Sequence, residues 1–351
     1  MKKNIIRMLL ISNCLFFMGA GCEKAPKSTL ENGVLKADTK NSFGQSENTA
    51  KNNSTYTLDD IAAQLSSHYT KEFSSENNCL YFDADVEIPD HTIDIYRSEV
   101  VINPWSETEV TDLFDDLKRE NMVTGDELPE SYEDTSSQIR LAGIDYSNIE
   151  LEKQNKSDNI DEQDKEGTKK KAEKFSDIMT KAGVPIVTKP LEVMEDGWDG
   201  RSFWTIPVFQ GVEFATGFPT TGTCKILNEV LQGTVSFLDG EIINFHINER
   251  FQCIDSEVCQ SFASWEDIEK IIEKAIASRE LIFSKKLKAT RISLKYIILN
   301  NEKLQMLPVW NVEFDKDSYY HALEENSDSN ETISMMNLCI NALDGSIVYA
   351  S

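Results

Sequence analysis

The sequence predicts an α+β protein in which antiparallel sheets are each backed by a helix, and three observations carry that expectation. The first is a run with period two. Leu80, Phe82, Ala84, Val86 and Ile88 alternate with Tyr81, Asp83, Asp85 and Glu87, as in a strand buried on one face only. The second is a set of amphipathic stretches opened by capping residues, each followed by strand-like segments. The third is an echo: "IPVFQGVEF", from Ile206 to Phe214, returns as "LPVWNVEF", from Leu307 to Phe314.

The elements follow in chain order. "TLDDIAAQLSSHY" has Leu58, Ile61, Ala62 and Leu65 at helical spacing, with Thr57 as its cap. The alternating strand comes next, then a second strand in "TIDIYRSEVVI". Ser106 and Glu109 form a capping box ahead of a helix whose stripe is Val110, Leu113, Phe114 and Leu117. The polar stretch between Tyr146 and Gly167 reads as an exposed connection. Residues 168–182 then give a helix with Ala172, Phe175, Met179 and Ala182 on one face, stopped by Gly183 and Pro185. A second such helix opens at Ser264, with Trp265, Ile268, Ile272 and Ala275 on one face.

Each of these two helices precedes a Pro-Val-aromatic strand ending in Val-Glu-Phe and, further on, a Leu-Asp-Gly turn. Asp239-Gly240 and Asp344-Gly345 suit two-residue hairpin turns. Pro207 and Pro308 lack an amide donor and are expected at a strand start or edge. Trp204, Phe209 and Trp310 are expected to knit sheet to helix. Three matched features in matching order imply an internal duplication. The segments expected are therefore an export signal at 1–22, a flexible tether at 23–55, an N-terminal α+β region at 56–145, a polar linker at 146–167, and two related units at 168–255 and 256–351.

The chain has 351 residues and a formal charge of −25. That acidity excludes nucleic acid as an expected partner, since phosphate binding needs clustered cations. At the start, Lys2, Lys3 and Arg7 precede an apolar run from Met8 to Met18, then Gly19, Ala20, Gly21 and Cys22. This is an export signal, short for a membrane span. The cysteine after small residues resembles the lipobox of bacterial lipoproteins, with Gly19 where that family carries leucine. The resemblance implies that Cys22 bears the lipid and becomes the mature N-terminus. The protein would then sit on the extracytoplasmic face of the cell membrane. Residues 23–55, rich in Ser, Asn, Thr and Lys, cannot bury enough surface to offset their ordering entropy. As a coil they would reach roughly 30 Å.

The helix followed by "LPVWNVEF" and "INALDGSIVYA" resembles the PepSY-like units of exported Gram-positive proteins. The YycI and YycH regulators and uncharacterised clostridial lipoproteins belong to that neighbourhood. The resemblance covers residues 264–351 most fully and 168–250 less so. It implies a non-catalytic role outside the membrane, of the kind that restrains proteases or sensor kinases, and it transfers no functional residue.

The residues themselves offer little chemistry. There is no Gly-x-Ser-x-Gly elbow, no His-Glu-x-x-His helix and no phosphate-binding glycine loop. An enzyme is not expected. His68, His91, His246 and His321 lie far apart in sequence. Asp83, Asp85 and Glu87 share one strand face; carboxylates that close suit oxygen ligation of Ca²⁺, and a solvated face accounts for the same alternation without a metal. No metal and no cofactor is expected. Cys253 and Cys259 are near enough to bridge, whereas buried thiols account for them equally. The expected function is a binding or regulatory lipoprotein for an envelope protein or peptide. The alternatives are a hydrolase using carboxylates such as Asp83 and Asp85, or a structural envelope component.

Overall fold

The computed structural model describes residues 56–75, 78–124, 129–134, 141–148, 162–193, 197–216, 233–247, 250–278, 281, 286–300, 303–315 and 337–348. The expected export signal, Cys22 and the tether lie outside the described residues, as do Cys14, Cys224, His321 and the acidic loop after Asp315. Along the chain run α1 (Leu58–Leu65), β1 (His68–Ser75), β2 (Asn78–Glu87), β3 (Tyr96–Ile102), α2 (Glu107–Arg119), β4 (Glu130–Asp134), β5 (Leu141–Ser147) and α3 (Glu162–Lys181). Then come β6 (Ile186–Val193), β7 (Gly197–Phe209), β8 (Val212–Glu213), β9 (Gly233–Leu238), β10 (Glu241–Ile247) and β11 (Phe251–Val258). The last elements are α4 (Trp265–Ala277), β12 (Lys286–Asn300), β13 (Leu304–Phe314), β14 (Asn337–Asn341) and β15 (Ile347–Val348).

The protein is a mixed α+β fold of two sheets. The first has eight strands, ordered β1-β2-β12-β13-β14-β15, with β3 pairing both β13 and β11. The second has seven, ordered β4-β5-β10-β9-β7-β6, with β8 on β7. Each sheet draws strands from before residue 148 and from after residue 185. The expectation of purely antiparallel sheets is corrected at one pair, because β2 and β12 run parallel. No hairpin joins these two, so nothing forces them to alternate in direction. Among the described residues no helix is long and apolar enough to cross a membrane.

The helices form where their caps and stripes predict. Ser106 Oγ accepts from Glu109 N at 3.3 Å while Glu109 Oε2 accepts from Ser106 N at 2.9 Å. Thr57 caps α1 in the same way and Ser264 caps α4. Helix α3 begins at Glu162, inside the expected linker; its polar first turns hid it, since they carry no apolar stripe. Helices α1 and α4 cover one face of the first sheet, where Trp265, Trp310, Tyr296 and Phe82 pack together. Helices α2 and α3 cover the second sheet over Phe114, Phe175, Phe203, Phe237 and Phe245. A smaller cluster, including Ile297, Leu299, Leu307, Val309 and Cys339, buries the opposite face of β12 to β14. Those strands are therefore covered on both faces, unlike the alternating β2.

The echoed stretches adopt different conformations. "LPVWNVEF" lies within the continuous strand β13. "IPVFQGVEF" breaks after Phe209, where Gln210 and Gly211 turn the chain at φ 50° and 84°. Its Val-Glu-Phe is thus a return strand, a correction caused by one extra residue that fits a tight turn. The turn carries Phe214 out of the second sheet to bridge Tyr296 of β12 in parallel. Asp239 and Gly240 form the expected hairpin turn, both with positive φ. At Asp344-Gly345 only the glycine is left-handed, and Asp344 Oδ1 accepts from Ser346 N at 2.8 Å in a wider loop.

The prolines are also corrected. Neither sits at a strand start or a free edge. The Pro207 carbonyl accepts from Phe214 N and the Pro308 carbonyl from Ala342 N, both at 3.0 Å. A strand residue points its N and its C=O the same way, so each missing N–H faces a seam where the neighbouring strand changes. That seam lies between β9 and β8 for Pro207, and between β3 and β14 for Pro308. Trp204 does not join sheet to helix. Alternation puts Phe203 on the side of α3 and leaves Trp204 37% exposed.

Trp310→Ala should therefore lower the unfolding free energy by about 3–5 kcal/mol, and Trp204→Ala by less than about 1 kcal/mol. Denaturant unfolding of the two variants checks this, and equal losses would contradict the assignment of faces.

Candidate functional site

Between the two sheets lies a cleft of about 260 Å³. One wall comes from the turn after α3 and the start of β6, with Val184, Pro185 and Ile186; another comes from the echoed segment Pro207, Val208 and Phe209. Phe251 and Cys253 of β11 close the side toward the first sheet. Gly183, at φ 85°, ends α3 and lets the chain turn straight into this wall. The volume suits one or two apolar side chains rather than a large cofactor.

The buried cation at the cleft is already engaged. Arg250 is 8% exposed. Its Nη1 and Nη2 donate to the two oxygens of Glu109 at 2.7 and 3.0 Å, and its Nε and Nη2 donate to the Asn103 and Pro104 carbonyls. The guanidinium also lies 4.8 Å from the Trp105 ring centre. Thus the side chain that ties β10–β11 to the β3–α2 connection has its donors committed. The Arg250 guanidinium, with the Ser106 backbone and hydroxyl, pulls the Glu109 carboxyl down to about 2. Burial pushes the Cys253 thiol up to about 11, so at neutral pH it stays protonated and is a poor nucleophile. The cleft can hold apolar groups; its residues provide no evident nucleophile–base pair.

Asp83, Asp85 and Glu87 project from β2 and meet basic side chains from its two neighbours. His68 of β1 reaches Asp85 through Nδ1 at 2.9 Å and Asp83 through Nε2 at 3.0 Å. Lys288 of β12 lies 2.9 Å from Asp83, and Arg291 lies 3.3 Å from Glu87. Hydrogen bonds donated to Asp85 and Asp83 hold the His68 pKa above its ordinary value, and Lys288 followed by His68 lowers that of Asp83. The arrangement is an open charge ladder across three strands. Among the described residues no group of three or more His, Cys, Asp or Glu side chains is placed to hold a metal ion. His246 likewise pairs with Asp145. Cys253 and Cys259 do not bridge; they and Cys339 are free thiols.

Sequence reasoning missed a buried polar cluster on the covered second face of the first sheet. Lys295 lies between Glu213 of β8 and Glu313 of β13, at 3.5 and 3.4 Å. Lys189 and Arg291 join at its rim, 2.6 Å from Glu213 and 3.3 Å from Glu313. Both glutamates belong to the echoed Val-Glu-Phe, the one signal in the sequence that pointed here.

No protein-family model matches the chain, and no curated protein matches it. Among solved structures, an uncharacterized protein from Eubacterium rectale ATCC 33656 aligns over 84% of this chain and 97% of its own length, at 11% identity and a TM-score of 0.46.

Glu109 titrates lower in the folded chain than in the unfolded one, where a glutamate ionises at about 4.3. Its pairing with Arg250 therefore stabilises the fold above that pH and ceases to do so as the pH falls through about 2. Glu109→Gln should be less stable than the wild type at neutral pH, and the gap should close on acidification. Denaturant unfolding across pH measures it; a gap that stays constant with pH would refute the role of the charge.

Proposed function

We propose that the protein is an extracytoplasmic lipoprotein, held to the membrane through lipidated Cys22, that acts as a non-catalytic binding or regulatory module. It takes an apolar stretch of an envelope protein or peptide in the cleft between its sheets. One observation carries this: the cleft wall built from Val184, Ile186, Pro207, Val208 and Phe251 is apolar, while its arginine is neutralised and its thiol protonated. Such a surface recognises shape and apolar area rather than charge.

The C-terminal part is built from two related PepSY-like units. Supporting this, α3 is followed by β6, β7, β9 and β10 as sequential sheet neighbours, and α4 by β12, β13, β14 and β15 in the same manner. A second reading, a carboxylate-based envelope hydrolase, is favoured only by His68 lying between Asp83 and Asp85. Those groups stand on an open strand surface, where nothing separates their environments as acid–base division requires.

Val208→Glu places a charge in the cleft at a half-buried position. Fluorescein-labelled apolar peptides should bind the wild type and lose at least about tenfold in affinity for the variant, the equivalent of about 1.4 kcal/mol. Equal binding by both proteins, with the variant folded, would rule the cleft out.

A further inference from the structure

Ser293 and Lys295 of β12 and Asn311 and Glu313 of β13 point to the sheet face away from α4. Ser293 stands opposite Asn311 and Lys295 opposite Val309, so Lys295 and Asn311 are diagonal neighbours on that face, within reach of long side chains. The Lys295 side chain is 8% exposed and Asn311 is fully buried. Around them lie Ile297, Val309 and Cys339.

The amine and the amide share one acceptor. Lys295 Nζ donates to Glu313 Oε1 at 3.4 Å, and Asn311 Nδ2 donates to the same oxygen at 3.2 Å. The other oxygen of Glu313 faces Arg291 Nη1 at 3.3 Å, which fixes the carboxylate plane. Asn311 Oδ1 accepts from the Cys339 thiol at 3.5 Å, which polarises the amide carbonyl. The contacts to Lys295 are long for a charge-assisted hydrogen bond, so the ammonium is enclosed without being tightly held. A buried ion pair for its own sake is a poor source of stability.

We infer that Lys295 and Asn311 become joined by an intramolecular isopeptide bond, with Glu313 carrying the proton. Glu313 takes a proton from Nζ. The freed amine attacks Cγ of Asn311 to give a tetrahedral intermediate. Glu313 returns that proton to Nδ2, the Cγ–Nδ2 bond breaks and ammonia leaves; the second proton of the attacking nitrogen then passes through Glu313 to the ammonia, which departs as ammonium. One ammonium ion is released for the one N–C bond formed, and nothing is oxidised or reduced. Proximity raises the effective concentration of the amine, the shared carboxylate is placed for both proton transfers, and exclusion of water suppresses hydrolysis of the amide.

Mass spectrometry of tryptic peptides from the full chain tests this. The link blocks cleavage after Lys295, so the peptide Ile292–Lys303 should appear joined to Leu304–Lys316, lighter by one ammonia than the two together. Glu313→Gln and Lys295→Arg, shown folded by denaturant unfolding, should instead release Leu304–Lys316 unlinked. Wild-type protein that yields only Ile292–Lys295, Tyr296–Lys303 and unlinked Leu304–Lys316 would overturn the proposal. Persistence of the link in Glu313→Gln would overturn the role given to Glu313.

Discussion

The union of the two sheets depends on Tyr296. Its ring is fully buried, 5.7 Å from Phe214 and 6.1 Å from Phe209, the two aromatics that flank the turn at Gln210-Gly211. Its carbonyl accepts from Ala215 N at 2.8 Å, and its hydroxyl accepts from Tyr96 N at 2.9 Å. A buried phenol with no partner would carry the desolvation penalty of its oxygen; here that oxygen satisfies a backbone donor at the start of β3. Burial keeps the phenol protonated, well above its ordinary pKa, against the opposing pull of the Tyr96 N–H. Arg250 makes a second tie nearby, through Glu109 and the backbone, so the cleft lies between two fixed points.

Around that seam the echoed residues acquire a meaning that their letters alone did not convey. Glu213 and Glu313 come from stretches that fold differently, one a return strand and one a continuous strand. They nevertheless converge on Lys295. The prolines behave alike as well, each turning its missing amide toward a place where one neighbouring strand gives way to another. A position that lacks a hydrogen-bond donor is tolerated in a sheet interior when no ladder bond is due there.

Much of the local structure was legible. The caps at Thr57, Ser106 and Ser264, the apolar stripes and the Asp239-Gly240 turn depend on residues within a few positions of one another, and each formed as expected. Strand β2 was read directly from its alternation. What could not be read depends on partners far away in the chain. His68, Lys288 and Arg291 reach the β2 carboxylates from strands that only the folded topology brings alongside. In the sequence, Arg291, Ser293 and Lys295 alternate with Ile292, Leu294 and Tyr296, a pattern that does not distinguish a wet strand face from a covered one. A covered second face of the sheet makes Lys295 a buried charge. The turn at Gln210-Gly211 was hidden by the resemblance of its surroundings to an unbroken strand.

The parallel pairing of β2 with β12 joins Cys79 to Lys286, about two hundred residues apart, which places the central contact of the first sheet among the most non-local in the chain. A chain emerging N-terminus first completes β1 and β2 as a lone hairpin, which is marginal by itself in water. That hairpin must wait for nearly the whole polypeptide before it gains its neighbour. The second sheet can close earlier, since its last strand ends at Ile247. Assembly in that order, with the early hairpin docking last, makes the N-terminal strands the segment most exposed to chaperones and proteases during biogenesis.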